Sequence, residues 1–167
     1  LQLQAAHLSF QEFFAARAVC AGTHLISRPW ALSVFWANTI RLGLEMGDAF
    51  GKGLSAAPGN ELNLGKSSVR VTLAGDLPTS AAALGAALRA APDVAEAQVA
   101  KFTIPVQRLR KESSLDLSSY ATVSDLDLMV ISGFLRVAGS ADVVSLHTLK
   151  VAPKKVLSLI HISEPTR

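Results

Sequence analysis

The sequence offers little from which a disulfide or cysteine-metal framework could be built. Cys20 is the one cysteine among 167 residues, so no disulfide can form within the chain and no metal cluster can rest on cysteine ligands. This sparing use of cysteine fits a reducing compartment. Cys20 follows an apolar helical stretch, and we interpret it as a small buried residue rather than a nucleophile.

Charge and long apolar runs are also scarce. Charged residues make up 17% of the chain and the net charge is +3, which does not by itself argue for a nucleic-acid partner. The apolar run from Trp30 to Ile40 is about half of the roughly 20 residues that a membrane span needs, and Asn38 and Arg41 interrupt it. It therefore predicts a buried helix and no membrane partner. Because half of the residues are hydrophobic, a substantial core is expected.

Motifs for catalysis are missing. The sequence contains no G-x-S-x-G, H-E-x-x-H or C-x-x-C pattern, and His7, His24 and His147 are scattered without an evident nucleophile. The glycine run Gly47–Gly53 differs from a phosphate loop because one spacer residue is missing and Gly53 stands where the magnesium-binding hydroxyl is needed. We interpret that run as a helix exit and linker continuing through residues 57–60. No catalytic residue, metal site, cofactor or small-molecule substrate is predicted.

The stretch beginning at His7 carries the most specific local signal. Ser9 and Glu12 have the spacing of a capping box, and Leu8 and Phe13 have that of a hydrophobic staple. The pattern predicts a helix ending near Gly22, with Phe10, Phe13 and Phe14 on one face. Adjacent phenylalanines expose much apolar area, so this face is expected to be covered.

The ten residues from His7 to Ala16, HLSFQEFFAA, resemble a signature of NACHT-type proteins, the NOD-like receptors. In that family the signature lies in a helical region between the nucleotide-binding domain and leucine-rich repeats. The resemblance implies an intracellular, ATP-dependent switch, of which this chain would carry the end of the helical region and the first repeats. We therefore expect a helical segment over residues 1–60, with a second helix starting near Ser27–Pro29 and packing on the Phe13/Phe14 face.

Residues 61–156 alternate between strand-like and helical patterns. Val69–Leu73 and Leu115–Leu117 predict strands, and Thr79 or Ser80 can cap an alanine-rich helix that Pro92 ends. The apolar slots of the leucine-rich consensus are filled best in two windows, residues 94–104 and 146–156.

Successive strand positions show irregular spacing. Val71, Val99, Leu117 and Val151 are separated by 28, 18 and 34 residues, and the consensus asparagine is missing. The predicted fold is α/β: an N-terminal helical segment followed by irregular leucine-rich-repeat-like units, a fragment of a solenoid. Because each unit needs neighbours to bury its apolar face, an exposed apolar edge is expected around Val151 and Val156.

Two basic clusters are candidate contact sites for an acidic protein surface, although solvated loop charge is the simpler interpretation. The first cluster is Arg108, Arg110 and Lys111, and the second is Lys150, Lys154 and Lys155.

The two ends of the chain suggest a fragment. The first residue is Leu1 rather than Met, without the charged start of a signal peptide. Residues 157–167 resemble translated sequencing-adapter bases, and we predict that this tail is not native.

Two functions remain open from the sequence. The first is a non-catalytic protein-interaction and regulatory fragment of a cytoplasmic NACHT–leucine-rich-repeat signalling NTPase. It would not bind or hydrolyse ATP alone, because no phosphate loop or Walker-B-like acidic strand is present. The second is a stand-alone leucine-rich-repeat-like adaptor without a nucleotide-binding domain.

Overall fold

The computed structural model describes residues 8–23, 29–58, 60–112, 114–136 and 148–150. Its helices are α1 (Leu8–Cys20), α2 (Ala37–Glu45), α3 (Asp48–Ser55), α4 (Leu77–Ala90), α5 (Val106–Lys111) and α6 (Asp125–Leu135). Its strands are β1 (Ser68–Arg70), β2 (Glu96–Gln98), β3 (Thr103–Ile104), β4 (Ser114–Asp116) and β5 (Thr148–Lys150). The chain is thus a mixed α/β protein in which long helices accompany two small sheets.

Helix α4 lies at the centre of the core. Asp76 caps it by accepting a hydrogen bond from the Thr79 amide at 3.1 Å, and Pro78 lies in the first turn, where a missing N–H is tolerated. The cap expected at Thr79 or Ser80 is therefore wrong by three or four residues. The predicted stop is confirmed, because the helix ends at Ala90, just before Pro92.

Small residues let α3 and α6 pack directly against α4. A side chain at Gly51 would collide with the Ala86 carbonyl, and one at Gly85 would collide with the α6 backbone at Val130. Gly133 faces Ala82 in the same way. Because no side chains separate the helices at these points, their backbones come close together and the small residues of α4 are buried.

Helices α1 and α2 lie side by side and run in the same direction. Near their starts, Asn38 Nδ2 donates to Glu12 Oε1 at 3.2 Å. Near their ends, Cys20 Sγ lies 3.8 Å from Met46 Sδ. The expected capping box is wrong: the helix already includes Leu8, so Ser9 lies inside it and the buried Glu12 bonds to α2 instead.

The segment before α2 differs from the expected helix start at Ser27–Pro29. Pro29 and Trp30 lie in a turn, a 3-10 turn covers Val34–Trp36, and α2 begins only at Ala37. The intervening chain runs along the start of α4, where the Ala74 amide donates to the Trp30 carbonyl and the Leu32 amide donates to Ser80 Oγ. These tertiary hydrogen bonds replace the helical ones that the pattern predicted.

The glycine run at residues 47–53 does not form a linker. Residues 48–55 form α3, in which Gly53 approaches the Val19 carbonyl of α1 and Gly51 approaches α4. Inside a helix, glycine is less favourable than alanine by about 1 kcal/mol. It is helical here because its small size allows two helices to approach, and this close packing outweighs that cost. A helix through Gly51 and Gly53 is not a phosphate-binding loop.

The strands form one three-stranded and one two-stranded sheet. β1 pairs with β2 in parallel, Val69 opposite Ala97, and β2 pairs with β3 in the antiparallel direction. β4 pairs with β5 in parallel, Leu115 opposite Leu149. The predicted strands near Val69 and Leu115 are confirmed. No solenoid joins them among the described residues, because β3 occupies the position beside β2 and β4 belongs to the other sheet.

Some sequence predictions lie outside the described residues. These are the apolar edge at Val151 and Val156, the cluster members Lys154 and Lys155, and the tail 157–167.

Candidate interaction surfaces

Large apolar side chains are exposed along the first half of α1 and on the 3-10 turn before α2. We define the apolar face as Leu8, Phe13 and Phe14 on α1 together with Val34 and Phe35 on the 3-10 turn before α2. Phe14, Val34 and Phe35 are 62%, 72% and 63% exposed. Because α1 and α2 start at the same end of the helix pair, the 3-10 turn and the first half of α1 lie toward that same end.

The covered side of α1 is not its phenylalanine side. Ala16 and Val19 are buried against the neighbouring helices, whereas Phe13 is 38% exposed and Phe10 is 58% exposed. The expected contact of the second helix with Phe13 and Phe14 is therefore wrong among the described residues. Small side chains allow α1 to approach α3 closely, at Gly53, and the bulky phenylalanines are left outside.

A second surface is a cleft lined by cationic side chains from three helices. It has a volume of about 430 Å³, and its walls come from α3, from the end of α4 and from α5. We define the basic cleft by its charged lining residues, Asp48, Lys52, Arg89, Arg110 and Lys111. Four cations thus face one carboxylate.

The two arginines of the basic cleft are fixed by other groups. Arg89 Nε donates to Asp48 Oδ1 at 3.0 Å, which joins α4 to α3. Arg110 reaches across to carbonyls at the end of α4, donating to the Val94 carbonyl at 2.8 Å and to those of Leu88 and Ala91. These carbonyls are neutral and leave the positive charge of Arg110 without a carboxylate partner in hydrogen-bond contact among the described residues. Burial lowers the pKa of Arg110, and its Nε is buried without a hydrogen-bond partner in that part of the chain.

The two lysines of the basic cleft are available. Lys52 and Lys111 are exposed and make no hydrogen bond or ion pair within the described residues. Since Asp48 is already paired with Arg89, the cleft carries an excess of positive charge on a concave surface. Such a surface concentrates the electrostatic potential and attracts anions.

The first predicted basic cluster lies on helix α5, not in a loop between repeats. Its three members have different surroundings: Arg108 is paired with Glu112 at 2.7 Å, Arg110 binds carbonyls, and Lys111 is free among the described residues. The cluster is thus not one uniform contact surface. In the second cluster, Lys150 lies in β5 opposite Asp116. A hydrogen bond from Ser118 is the main cause that lowers the pKa of Asp116, with a smaller contribution from Lys150.

Sequence reasoning missed Lys52, Arg89 and Asp48 as parts of a charged site. Lys52 lies in the glycine run that we interpreted as a linker, and Arg89 lies 41 residues away from Asp48 in the chain. A basic residue in the last turn of α4 is the one local signal, because cations are favoured at helix C-termini. Nothing local in the sequence pairs α3 with α5.

In the residues that the structure describes, no group of three or more histidine, cysteine, aspartate or glutamate side chains is placed to hold a metal ion. None of the described helices is both long and apolar enough to cross a bilayer. Cys20 is half-buried, and burial raises the pKa of its thiol, which favours the unreactive protonated form.

No protein-family model, curated protein or solved structure matches this chain.

Proposed function

We propose that this chain is a non-catalytic protein-interaction piece of a cytoplasmic NACHT–leucine-rich-repeat signalling protein. The apolar face is the observation that carries the proposal. Several large side chains, including Phe14 on α1 and Phe35 on the turn before α2, stand more than half exposed. Clustered apolar side chains of this size mark surfaces that another protein element covers.

The identity of that element follows from where the apolar face lies. The part of the apolar face on α1 belongs to the HLSFQEFFAA stretch, which resembles a signature that lies, in NACHT-type proteins, in a helical region between the nucleotide-binding domain and the repeats. In the proposed protein, preceding helices of the same polypeptide cover Phe13 and Phe14. The sequence 1–60 is then the end of that helical region.

The strand registers support the repeat part of the proposal. Val69 pairs with Ala97, 28 residues later, and Leu115 pairs with Leu149, 34 residues later. Both offsets equal spacings between successive strand positions in the sequence, and parallel pairing of successive strands is compatible with stacked repeats. The 28-residue offset lies within the usual leucine-rich repeat length of about 20–29 residues, and the 34-residue offset is longer. In the proposed protein, residues 61–156 are degenerate repeats, and β3 lies within the irregular 18-residue interval between the strand positions Val99 and Leu117.

Sequencing the complete transcript on both sides of the region encoding residues 1–167 tests the proposal. We expect an upstream strand–GxxxxGK[ST]–helix and, downstream, further repeats in place of residues 157–167. A start codon directly upstream, with the tail confirmed, would instead establish the stand-alone adaptor. ATP hydrolysis by the purified chain would contradict a non-catalytic role.

A further inference from the structure

A second hollow adjoins the basic cleft. It has a volume of about 240 Å³ and shares Ala90 and Pro92 with the basic cleft, so the two hollows lie side by side at the end of α4, and we call them together the groove. Polar and apolar residues line the second hollow, among them Ser55, Leu62 and Asn63, and Asp93 supplies its charge. One end of the groove is therefore positive and the other is neutral to negative.

The charge distribution selects an anionic ligand at one end only. Lys52 and Lys111 are available at the positive end, and the Asp48 carboxylate there is already bound by Arg89. At the other end, Asp93 would repel a second anionic group. A fitting ligand is extended, with its negative charges gathered at the end that meets the lysines.

The hydrogen bonds that the arginines already make favour a carboxylate ligand over a phosphate ligand. Tight phosphate sites commonly use the paired donors of arginine, which match two phosphate oxygens at once. Here Arg89 Nε is bound by Asp48, and both terminal nitrogens of Arg110 donate to carbonyls at the end of α4. The remaining cations are lysines, which act as point charges on flexible stems, so each can meet a separate carboxylate of an aspartate or glutamate side chain.

From this arrangement we propose that the groove around the end of α4 binds a short acidic peptide segment of a protein partner. Glutamate or aspartate side chains meet Lys52 and Lys111, and the following neutral residues lie over Pro92 toward Leu62 and Asn63. The proposal rests on the proposed function, because a peptide ligand presupposes a role in protein contact. It concerns a surface separate from the apolar face.

Fluorescence anisotropy of the 167-residue chain tests this inference. The probe is a fluorescein-labelled peptide of three glutamates followed by three serines, with the reversed order as a second probe. We expect saturable binding by at least one of them that weakens as salt is added. In the variant K52E/K111E the affinity should fall at least tenfold, because attraction becomes repulsion. Circular dichroism should be unchanged, since both lysines are exposed.

The variant R41E/K101E is the matched control. It changes the net charge by the same amount at two exposed positions outside the groove, and we expect its affinity to stay within twofold of the unchanged chain. Equal weakening in both double variants would overturn the proposal, because the peptide would then respond to net charge alone. Absence of binding by both glutamate probes would also overturn it, as would full competition by inorganic phosphate at an equal concentration of charge. These outcomes are independent of the transcript test, which concerns the parent protein.

Discussion

Helices α1 and α4 have 13 and 14 residues, yet they differ sharply in what they bury. Nine residues of α4 are buried, most of them alanine, glycine or serine, whereas three residues of α1 are buried and its phenylalanines are exposed. Gly85 in α4 lies against the backbone of α6, and Gly51 of α3 lies against the backbone of α4. Close approach of backbones, rather than the hydrophobicity of single residues, thus decides which helix occupies the core.

The difference also separates two roles. The small side chains of α4 match neighbours that belong to the same chain, so its packing is complete. The bulky side chains of α1 have no such match among the described residues of this chain, apart from contacts such as the Phe13–Phe14 ring pair at 5.7 Å. Hydrophobic residues on α4 therefore stabilise the fold, whereas those on the apolar face stay exposed among the described residues.

The largest expected effect comes from one truncation in each helix. Leu84 of α4 is fully buried and Phe14 of α1 is 62% exposed. We expect Leu84→Ala to lower the free energy of unfolding by about 3 kcal/mol, because it leaves a cavity in the core. Phe14→Ala should change it by less than about 0.5 kcal/mol, as exposed substitutions usually do. Urea unfolding followed by circular dichroism measures both, and a loss for Phe14→Ala as large as that for Leu84→Ala would contradict the comparison.

A smaller effect is expected where α5 supports the end of α4. Arg110 donates to carbonyls at and just beyond the end of α4, including those of Leu88 and Val94, and the Leu88 carbonyl also accepts from the Ala91 amide. Arg110→Gln should lower the free energy of unfolding by about 2 kcal/mol, because partly buried carbonyls lose a charged donor. Arg108→Gln, two residues away on the exposed side of α5, is the matched control and should have little effect. If the two variants were equally stable, the support of α4 by Arg110 would be disproved.

Local patterns predicted the helices and strands of this fold better than the contacts that those elements make with one another. The strands around Val69 and Leu115 and the end of α4 before Pro92 were predicted correctly, because alternation and proline act over a few residues. The capping box at Ser9 failed because Glu12 bonds to a residue 26 positions away. A local rule cannot include a partner at that distance.

The same reasoning explains what was missed at the basic cleft. Arg108, Arg110 and Lys111 were singled out as neighbours in sequence, but helix α5 directs them to different surroundings. Lys52 and Arg89 join the cleft only because α3 packs on α4, and that packing depends on Gly51, which the sequence suggested was part of a linker. A site assembled from three helices can be predicted only when the packing of those helices is known.

The smallest expected effect depends on pH, and it distinguishes the Arg108 variant from the Arg110 variant. Hydrogen bonds from Arg108 to the Glu112 carboxylate, at 2.7 and 2.9 Å, are the main cause that lowers the pKa of Glu112 below its ordinary value of 4.5. A carboxyl pKa that is lower in the folded state adds stability above the unfolded value, and this stability is lost as the pH falls through the folded pKa. NMR titration of the Glu112 side chain should show a pKa that rises toward 4.5 in Arg108→Gln, and an unchanged pKa would show that the pair does not form in solution. Arg110 donates to carbonyls, which do not titrate, so the part of its stabilisation that comes from these hydrogen bonds should be the same at acid and neutral pH.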